Sequence, residues 1–330
     1  MSEPETKKTN DSTRTIVYMI ILSVVCALIL SVIASALAHP QATAKELDRS
    51  GQMMMAAKIL SYDGYFLIKN EKGEYVPGKY TPGGFLAPGS EKDIATNNEI
   101  LEVFSHRLLP LLVDDKGDIK TFAQAGVDEN LYLSQFKKSG YANLPLKLVY
   151  KILPNSKETT DPLKAEAEGW VIPINGFGLW DAIYGYLALQ PDGDNVIGIT
   201  WYDQKETPGL GANIATPEWQ NEFPGKVIFA EGVGGKTDYK TAPLGITVIK
   251  GKVSEVLGDS PKAKNAVDGM AGATLTGNGV TEAYKNCLAP YRPFLIKIAE
   301  NNKKSDANKT EEKKSDDADS KKDDGNQEAK

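Results

Sequence analysis

An uninterrupted apolar stretch near the N-terminus limits what this 330-residue chain can fold into. The run from Ile16 to Ala38 contains no charged residue, and its length is close to the ~20 residues that a helix needs to cross a bilayer. A cleaved signal peptide is the alternative, because Ala34-Ser35-Ala36 resembles a cleavage site. Signal peptides, however, have a shorter apolar core of roughly 7–15 residues. We therefore expect an uncleaved membrane anchor.

Basic residues flank this apolar run on both sides. Three precede it and two follow it closely: Lys7, Lys8 and Arg14, then Lys45 and Arg49. The more basic flank of a membrane helix usually stays in the cytoplasm. The sequence therefore predicts a short cytoplasmic N-terminus at residues 1–15, a single transmembrane helix at 16–38, and the rest of the chain outside.

Beyond the anchor, the pattern of apolar residues and turns predicts an α+β domain. Residues 39–60 should form a helical stalk, and the domain should span 61–300. Strands and helices do not alternate regularly, so a doubly wound parallel sheet is not expected. Residues 301–330 lack aromatic and large aliphatic side chains and carry charges of both signs. Such a segment cannot bury enough apolar surface to fold, and we expect a disordered tail.

Local patterns within the domain predict individual elements. The predicted strands are 65–68, 74–76, 146–153, 169–174, 226–230 and 244–250, together with a hairpin of 179–189 and 196–202 with one buried face. The predicted helices are 42–60, 215–223 and 280–288, the last continuing in part to 299 with interruptions at Pro290 and Pro293. The remaining predictions are a loop at 77–89, a helix from 99 that Pro110 breaks, and a hairpin turn at 114–118.

Charge and composition exclude several classes of function. The net charge of −6 gives no sign of the basic face that nucleic acid requires, so no nucleic-acid partner is expected. Two histidines and two cysteines cannot supply the usual ligand spacings of zinc or iron–sulfur sites. No G-x-G-x-x-G sequence joins a strand to a helix, so a dinucleotide site is not predicted.

The segment Asp268–Val280 concentrates glycines, small residues and hydroxyls ahead of an expected helix. Glycine lacks a Cβ, so an anionic group can approach the main chain closely there. Amides at a helix N-terminus also favour anions. Taken alone, such a loop is more often a simple turn, Trp180 more often belongs to the core, and Thr274 more often caps a helix.

Three segments together carry a resemblance to a known family. The segment Asp268-Gly269-Met270-Ala271-Gly272-Ala273-Thr274 resembles the flavinylation signature of the FMN-binding domain family, with Ala271 where Ser or Thr is usual. Glu206-Thr207-Pro208-Gly209-Leu210-Gly211 matches a second signature, and Gly178-Leu179-Trp180 and the anchor extend the match. Together they resemble the family formed by the C subunits of the sodium-translocating NADH:quinone reductases.

The resemblance implies one FMN per chain, joined by a phosphoester to Thr274, with the FMN-binding part of the domain at about 170–300. It also implies that a separate flavin transferase recognises Asp268. It implies a membrane-anchored subunit that carries electrons in a sodium-pumping NADH:quinone oxidoreductase of the bacterial inner membrane. The main domain would lie on the periplasmic side, and NADH and quinone would bind to other subunits. The expected FMN contacts are Leu179, Trp180, Tyr184 and Leu210 as an apolar wall, Thr207 and Gly211 as polar and main-chain contacts, Lys250 near the phosphate, and Gly272 and Ala273 in the loop.

Two alternatives remain open at this point. The G subunit of the Rnf complex shares the flavin loop and the Pro-Gly turn, but it is normally shorter between anchor and turn. A cofactor-free anchored binding or assembly module would use the glycine-rich loop as a turn only.

Overall fold

The computed structural model describes residues 8–156, 161–232 and 237–303. It separates a first unit that ends at Arg49 from a second that begins at Ser50. Helix α1 (Lys8–Ala56) confirms the helix predicted for the anchor, and its segment Thr13–Ala38 is exposed, apolar and long enough to cross a membrane. Most of the predicted tail, residues 304–330, lies outside the described residues.

The second unit begins with the end of α1 and a small antiparallel sheet. Its strands are β1 (Phe66–Lys69), β2 (Tyr75–Thr81) and β3 (Phe85–Pro88), with β2 in the middle. Three helices follow: α2 (Asn97–Arg107), α3 (Phe122–Ala125) and α4 (Glu129–Gln135). Two strands of a larger sheet lie between α2 and α3 in the chain. Capping boxes fix the starts of α2 and α3, where Thr96 and Thr121 accept from the third helical amide.

A six-stranded antiparallel sheet occupies the centre of the second unit. Its strands, in order across the sheet, are β5 (Ile119–Lys120), β4 (Leu108–Val113), β6 (Lys147–Ile152), β7 (Gly169–Phe177), β8 (Ala182–Leu189) and β9 (Val196–Asp203). The remaining elements are α5 (Pro217–Gln220), β10 (Thr247–Val248), α6 (Val253–Val256), β11 (Ala266–Val267), α7 (Thr274–Leu288) and a helical run at 292–303, which we label α8.

Both faces of the large sheet are buried. Side chains alternate along each strand, so every strand contributes residues to both faces. In β7, Trp170 and Ile172 join one apolar cluster, whereas Val171 joins the other. The first cluster includes side chains of α7 and α8, and the second includes Met53 and Met54 from the end of α1. The sheet therefore forms a rigid layer between two cores.

The α+β class is confirmed, as are the strands near 65–68, 74–76, 146–153 and 169–174, the turn at 114–118, and a helix from Ala42 as far as Ala56. The hairpin is also confirmed, but β9 is buried on both faces because the sheet has two cores. The predicted helix at 215–223 is α5, shorter than predicted, with Pro217 in its first turn.

Two predictions were wrong. Residues 77–89 form β2 and β3, because pairing between strands outweighs the local preference of glycine and proline for loops. The segments 226–230 and 244–250 make mainly isolated bridges, and only Thr247–Val248 is a strand. The helix predicted from Glu99 is present as α2, but it ends at Arg107, before Pro110, which lies within β4. The predicted interruption at Pro290 and Pro293 is confirmed, because α7 ends at Leu288, a short 3-10 helix follows at Ala289–Tyr291, and a new helical run begins at 292.

A buried carboxylate holds the segment 228–229 in place of a strand ladder. Asp194 Oδ1 accepts hydrogen bonds from the amides of Ile228 and Phe229, both at 3.0 Å. Burial raises the pKa of Asp194 to about 6, although the two amides oppose the shift. The folded state therefore holds this proton more tightly than the unfolded chain does.

We expect this group to lower stability as the pH rises from about 4 to about 6, because the folded pKa lies above the unfolded value. A difference of about two pH units corresponds to roughly 3 kcal/mol. Asp194→Asn keeps a hydrogen-bond acceptor and removes the titrating group. The free energy of unfolding, measured with urea across this pH range, should therefore lose this part of its pH dependence. Asp259→Asn, at an exposed carboxylate, is the matched control. An unchanged pH profile in Asp194→Asn would contradict the assignment.

Candidate functional site

The first turn of α7 leaves its backbone amides open. The helix begins at Thr274, earlier than the predicted Val280, and Ala273 at the N-cap has no side chain that could cap it. Among the described residues, the amides of Thr274, Leu275 and Thr276 have no hydrogen-bond partner. These are donors that a helix start normally satisfies with a cap, water or a ligand.

A cavity of about 250 Å³ lies at this helix start. Its walls come from two segments, 248–252 and 269–278, and they include Lys250, Gly272, Ala273 and Thr274 among the predicted residues. Gly272 has a φ of +72°, and a Cβ added there would lie 3.0 Å from Leu210 Cδ2. A side chain at this position would therefore strain the backbone and crowd the wall. Lys252 also lines the cavity, although no sequence pattern indicated it.

Two threonines in this turn have opposite environments. Thr274 is exposed, and its hydroxyl makes no hydrogen bond to another described residue. Thr276 is 1% exposed and donates from Oγ1 to Glu206 Oε2 at 2.5 Å. Only Thr274 therefore offers a free, accessible hydroxyl.

Glu206 joins the segment after β9 to the connection between β7 and β8. Glu206 is 5% exposed, and its carboxylate accepts from the amides of Leu179 at 3.1 Å and Trp180 at 3.0 Å. Burial opposes ionisation, but the hydrogen bonds from Thr276 and from these two amides outweigh it and lower the pKa of Glu206. The neighbouring Thr207 accepts from the indole Nε1 of Trp180 at 3.1 Å.

Exposed apolar side chains surround the helix start. Trp180 is 68% exposed, and Leu179 and Leu210 are also exposed, as a wall for an aromatic ligand requires. The structure adds Phe177 at 74% and Leu275 at 61% exposure. Large apolar side chains grouped on a surface mark binding sites rather than structural positions.

The structure assigns different surroundings to three other predicted residues. Tyr184 lies on β8, and its hydroxyl donates to the Lys138 carbonyl at 2.9 Å, so no described contact joins it to the loop. Asp268 Oδ1 accepts from the Val253 amide at 2.7 Å, which anchors the loop. Gly211 lies against Glu206 and Thr276.

Sequence reasoning missed Glu206, Thr276, Lys252, Phe177 and Leu275 as site residues. Glu206 opens a recognised segment, but an acidic residue before a Pro-Gly turn is normally solvated. Its burial depends on contact with residues far away in sequence, which no local pattern shows. A second hydroxyl two positions after Thr274 was the one sequence feature that could have drawn attention to Thr276.

This site suits a phosphate-bearing aromatic cofactor. The open amides, the lysines and the free hydroxyl could bind the phosphate, and the exposed apolar side chains could contact the ring. The family model described as FMN-binding domain matches residues 178–289, which cover this site. The fold and the site thus define a protein with an FMN-binding domain.

Full-length relatives narrow this class. The C subunit of the Na(+)-translocating NADH-quinone reductase from Chlamydia muridarum is 42% identical, covering 86% of this chain and 92% of that one. The corresponding protein from Pasteurella multocida is 30% identical over 86% and 93%. A crystal structure of the Parabacteroides distasonis protein of the same name is 21% identical, with a TM-score of 0.48, and covers 77% of this chain and 94% of that one. The chain belongs to the family of these C subunits, and its exposed apolar helix and this membership indicate membrane association.

The two threonines give a matched test of the geometry. Thr276→Val removes a buried hydrogen bond to a carboxylate and should lower the free energy of unfolding by about 1–3 kcal/mol. Thr274→Val, two positions away in the same helix, should change it by less than about 0.5 kcal/mol. Urea unfolding of both variants without cofactor measures the difference. Equal losses would contradict the assigned environments.

Proposed function

We propose that this protein is a membrane-anchored flavoprotein subunit of a sodium-translocating NADH:quinone reductase. It carries electrons through one FMN bound covalently to Thr274. The observation that supports this most directly is the exposed Thr274 hydroxyl in the cavity at the open start of α7.

The start of α7 suits the phosphate. Unpaired amides and the positive end of the helix dipole favour an anion. Lys250 and Lys252 line the same cavity and add positive charge. An anion in this position would satisfy donors that have no partner among the described residues.

Thr274 provides the attachment point. Its Oγ1 forms the new bond to phosphorus while the phosphoanhydride bond of an activated flavin phosphate, the donor held by the transferase, breaks. The leaving phosphate group departs and the hydroxyl proton passes to solvent, so that the chain gains FMN less one water overall. A flavin transferase supplies the flavin phosphate, and Asp268 is the proposed recognition residue. Thr276 is a poor alternative, because its hydroxyl is buried and bonded to Glu206.

The apolar wall orients the ring. FMN supplies an isoalloxazine that accepts and donates electrons. Trp180, Leu179 and Leu210 form the wall, and Thr207 fixes the indole of Trp180. Gly272 and Ala273 let the loop approach the cofactor, and Gly211 leaves room beside the helix start. Because the tether prevents dissociation, the wall need only hold the ring in place.

The reaction requires partners. Other subunits of the reductase bind NADH and quinone and exchange electrons with this flavin. The helix over 16–38 crosses the inner membrane once, with residues 1–15 in the cytoplasm and the domain on the periplasmic side. The Lys and Arg residues that precede the helix support this orientation.

Thr274→Ala should abolish covalent flavin, because it removes the attacking oxygen. The measurement is flavin fluorescence on a denaturing gel, after co-expression with a flavin transferase that modifies another target in the same host. Thr276→Val is the matched control and should remain fluorescent. An unlabelled wild type, or a labelled Thr274→Ala variant, would contradict the proposal.

Protease added to spheroplasts should degrade the domain while leaving a cytoplasmic marker intact, if the domain is periplasmic. Intact-mass measurement of the purified chain then shows whether residues 1–38 are retained. Protection of the domain until the membrane is dissolved would contradict the orientation, and loss of these residues would contradict the anchor.

A further inference from the structure

We propose that Glu206 is a positioning residue of the flavin site. Its carboxylate fixes the Leu179–Trp180 segment against the first turn of α7, so that the ring wall and the attachment threonine keep a fixed relation. This inference rests on the proposed flavin function and adds a residue whose role neither the family signature nor the cavity assigns.

The contacts of Glu206 join three parts of the chain that are distant in sequence. Oε1 accepts from the Trp180 amide, and Oε2 accepts from the Leu179 amide and from Thr276 Oγ1. The first two donors belong to the β7–β8 connection, and the third to α7. The next residue, Thr207, holds the Trp180 indole. One segment therefore fixes both the backbone and the ring of Trp180.

An ionised carboxylate is needed for this arrangement. Three donors converge on the two oxygens, and a carboxylate accepts on both without presenting a donor of its own. A glutamine would turn an NH₂ group toward one of the amides or toward the threonine hydroxyl. The lowered pKa of Glu206 agrees with a carboxylate that stays charged.

The space around the carboxylate is an independent observation. A Cβ added at Gly178 would lie 2.4 Å from Glu206 Oε1. A Cβ added at Gly211 would lie 2.5 Å from Thr276 Oγ1 and 2.8 Å from Glu206 Oε2. Any larger residue at either position would displace the carboxylate or its partner. Two segments of the chain thus leave room for the same side chain.

Loss of the hydrogen bonds to Glu206 should release the segment that carries Trp180. Losing one hydrogen bond to a charged group should shift the local equilibrium toward a released Trp180 segment by ~10-fold or more. A flavin stacked on an indole is quenched, so release should raise flavin emission in the native protein. The amount of flavin on a denaturing gel should stay the same, because Thr274 is retained.

The test compares native flavin emission per attached flavin. Glu206→Gln and Thr276→Val should both raise it. Thr276→Ser keeps the hydroxyl and should restore the wild-type value, and Glu218→Gln makes the same chemical change at an exposed carboxylate and should have no effect. Trp180→Leu should raise emission by itself, and adding Glu206→Gln to it should have no further effect, since both act through one contact.

Wild-type emission in both Glu206→Gln and Thr276→Val would overturn the inference. It would also be overturned if Glu206→Gln raised emission as much in the Trp180→Leu background as it does in the wild type. If Glu206→Gln does not fold, Thr276→Val decides. If the wild type carries no flavin, the proposed function fails, but the inference is still tested. In that protein, the emission of Trp180 is obtained by subtracting the spectrum of Trp180→Leu. Acrylamide should quench this emission more strongly in Glu206→Gln and in Thr276→Val than in the wild type, and unchanged quenching would overturn the inference.

Discussion

The first turn of α7 lies where three parts of the chain meet, and one buried carboxylate joins them. Glu206 binds the amides of Leu179 and Trp180 and the hydroxyl of Thr276. Because Thr276 uses its hydroxyl in this way, the neighbouring Thr274 is the one left exposed. The same carboxylate therefore holds a buried threonine of α7 and the backbone of an exposed tryptophan.

The sheet explains how an exposed site can remain ordered. The Leu179–Trp180 connection joins β7 and β8, and both strands are buried between two apolar clusters. Helix α7 packs on one of these faces through Tyr284 and Leu288. Mobile loops position groups poorly, whereas short connections between fixed strands hold them accurately. The Leu179–Trp180 part of the candidate site is such a short connection.

Patterns with a strong local cause were predictable from the sequence. The apolar anchor, the β8–β9 hairpin and the small residues of the flavin loop all have local signals. The part of β2 after Val76 and all of β3 were missed, because pairing between strands overrides the glycines and prolines there. The site was predictable as far as Thr274, Trp180 and Lys250. The roles of Glu206 and Thr276 depend on contacts between segments seventy positions apart, so no local window contains them.

We propose that flavin is attached at Thr274 and at no other residue. Trypsin should release residues 265–285 as one peptide, which contains Thr274, Thr276 and Thr281. Fragment-ion mass spectrometry of this peptide, from protein purified with its native reductase, locates the modification directly. We expect FMN less one water on Thr274, with Thr276 and Thr281 unmodified. Flavin on another residue, or a wholly unmodified peptide from an active complex, would contradict it.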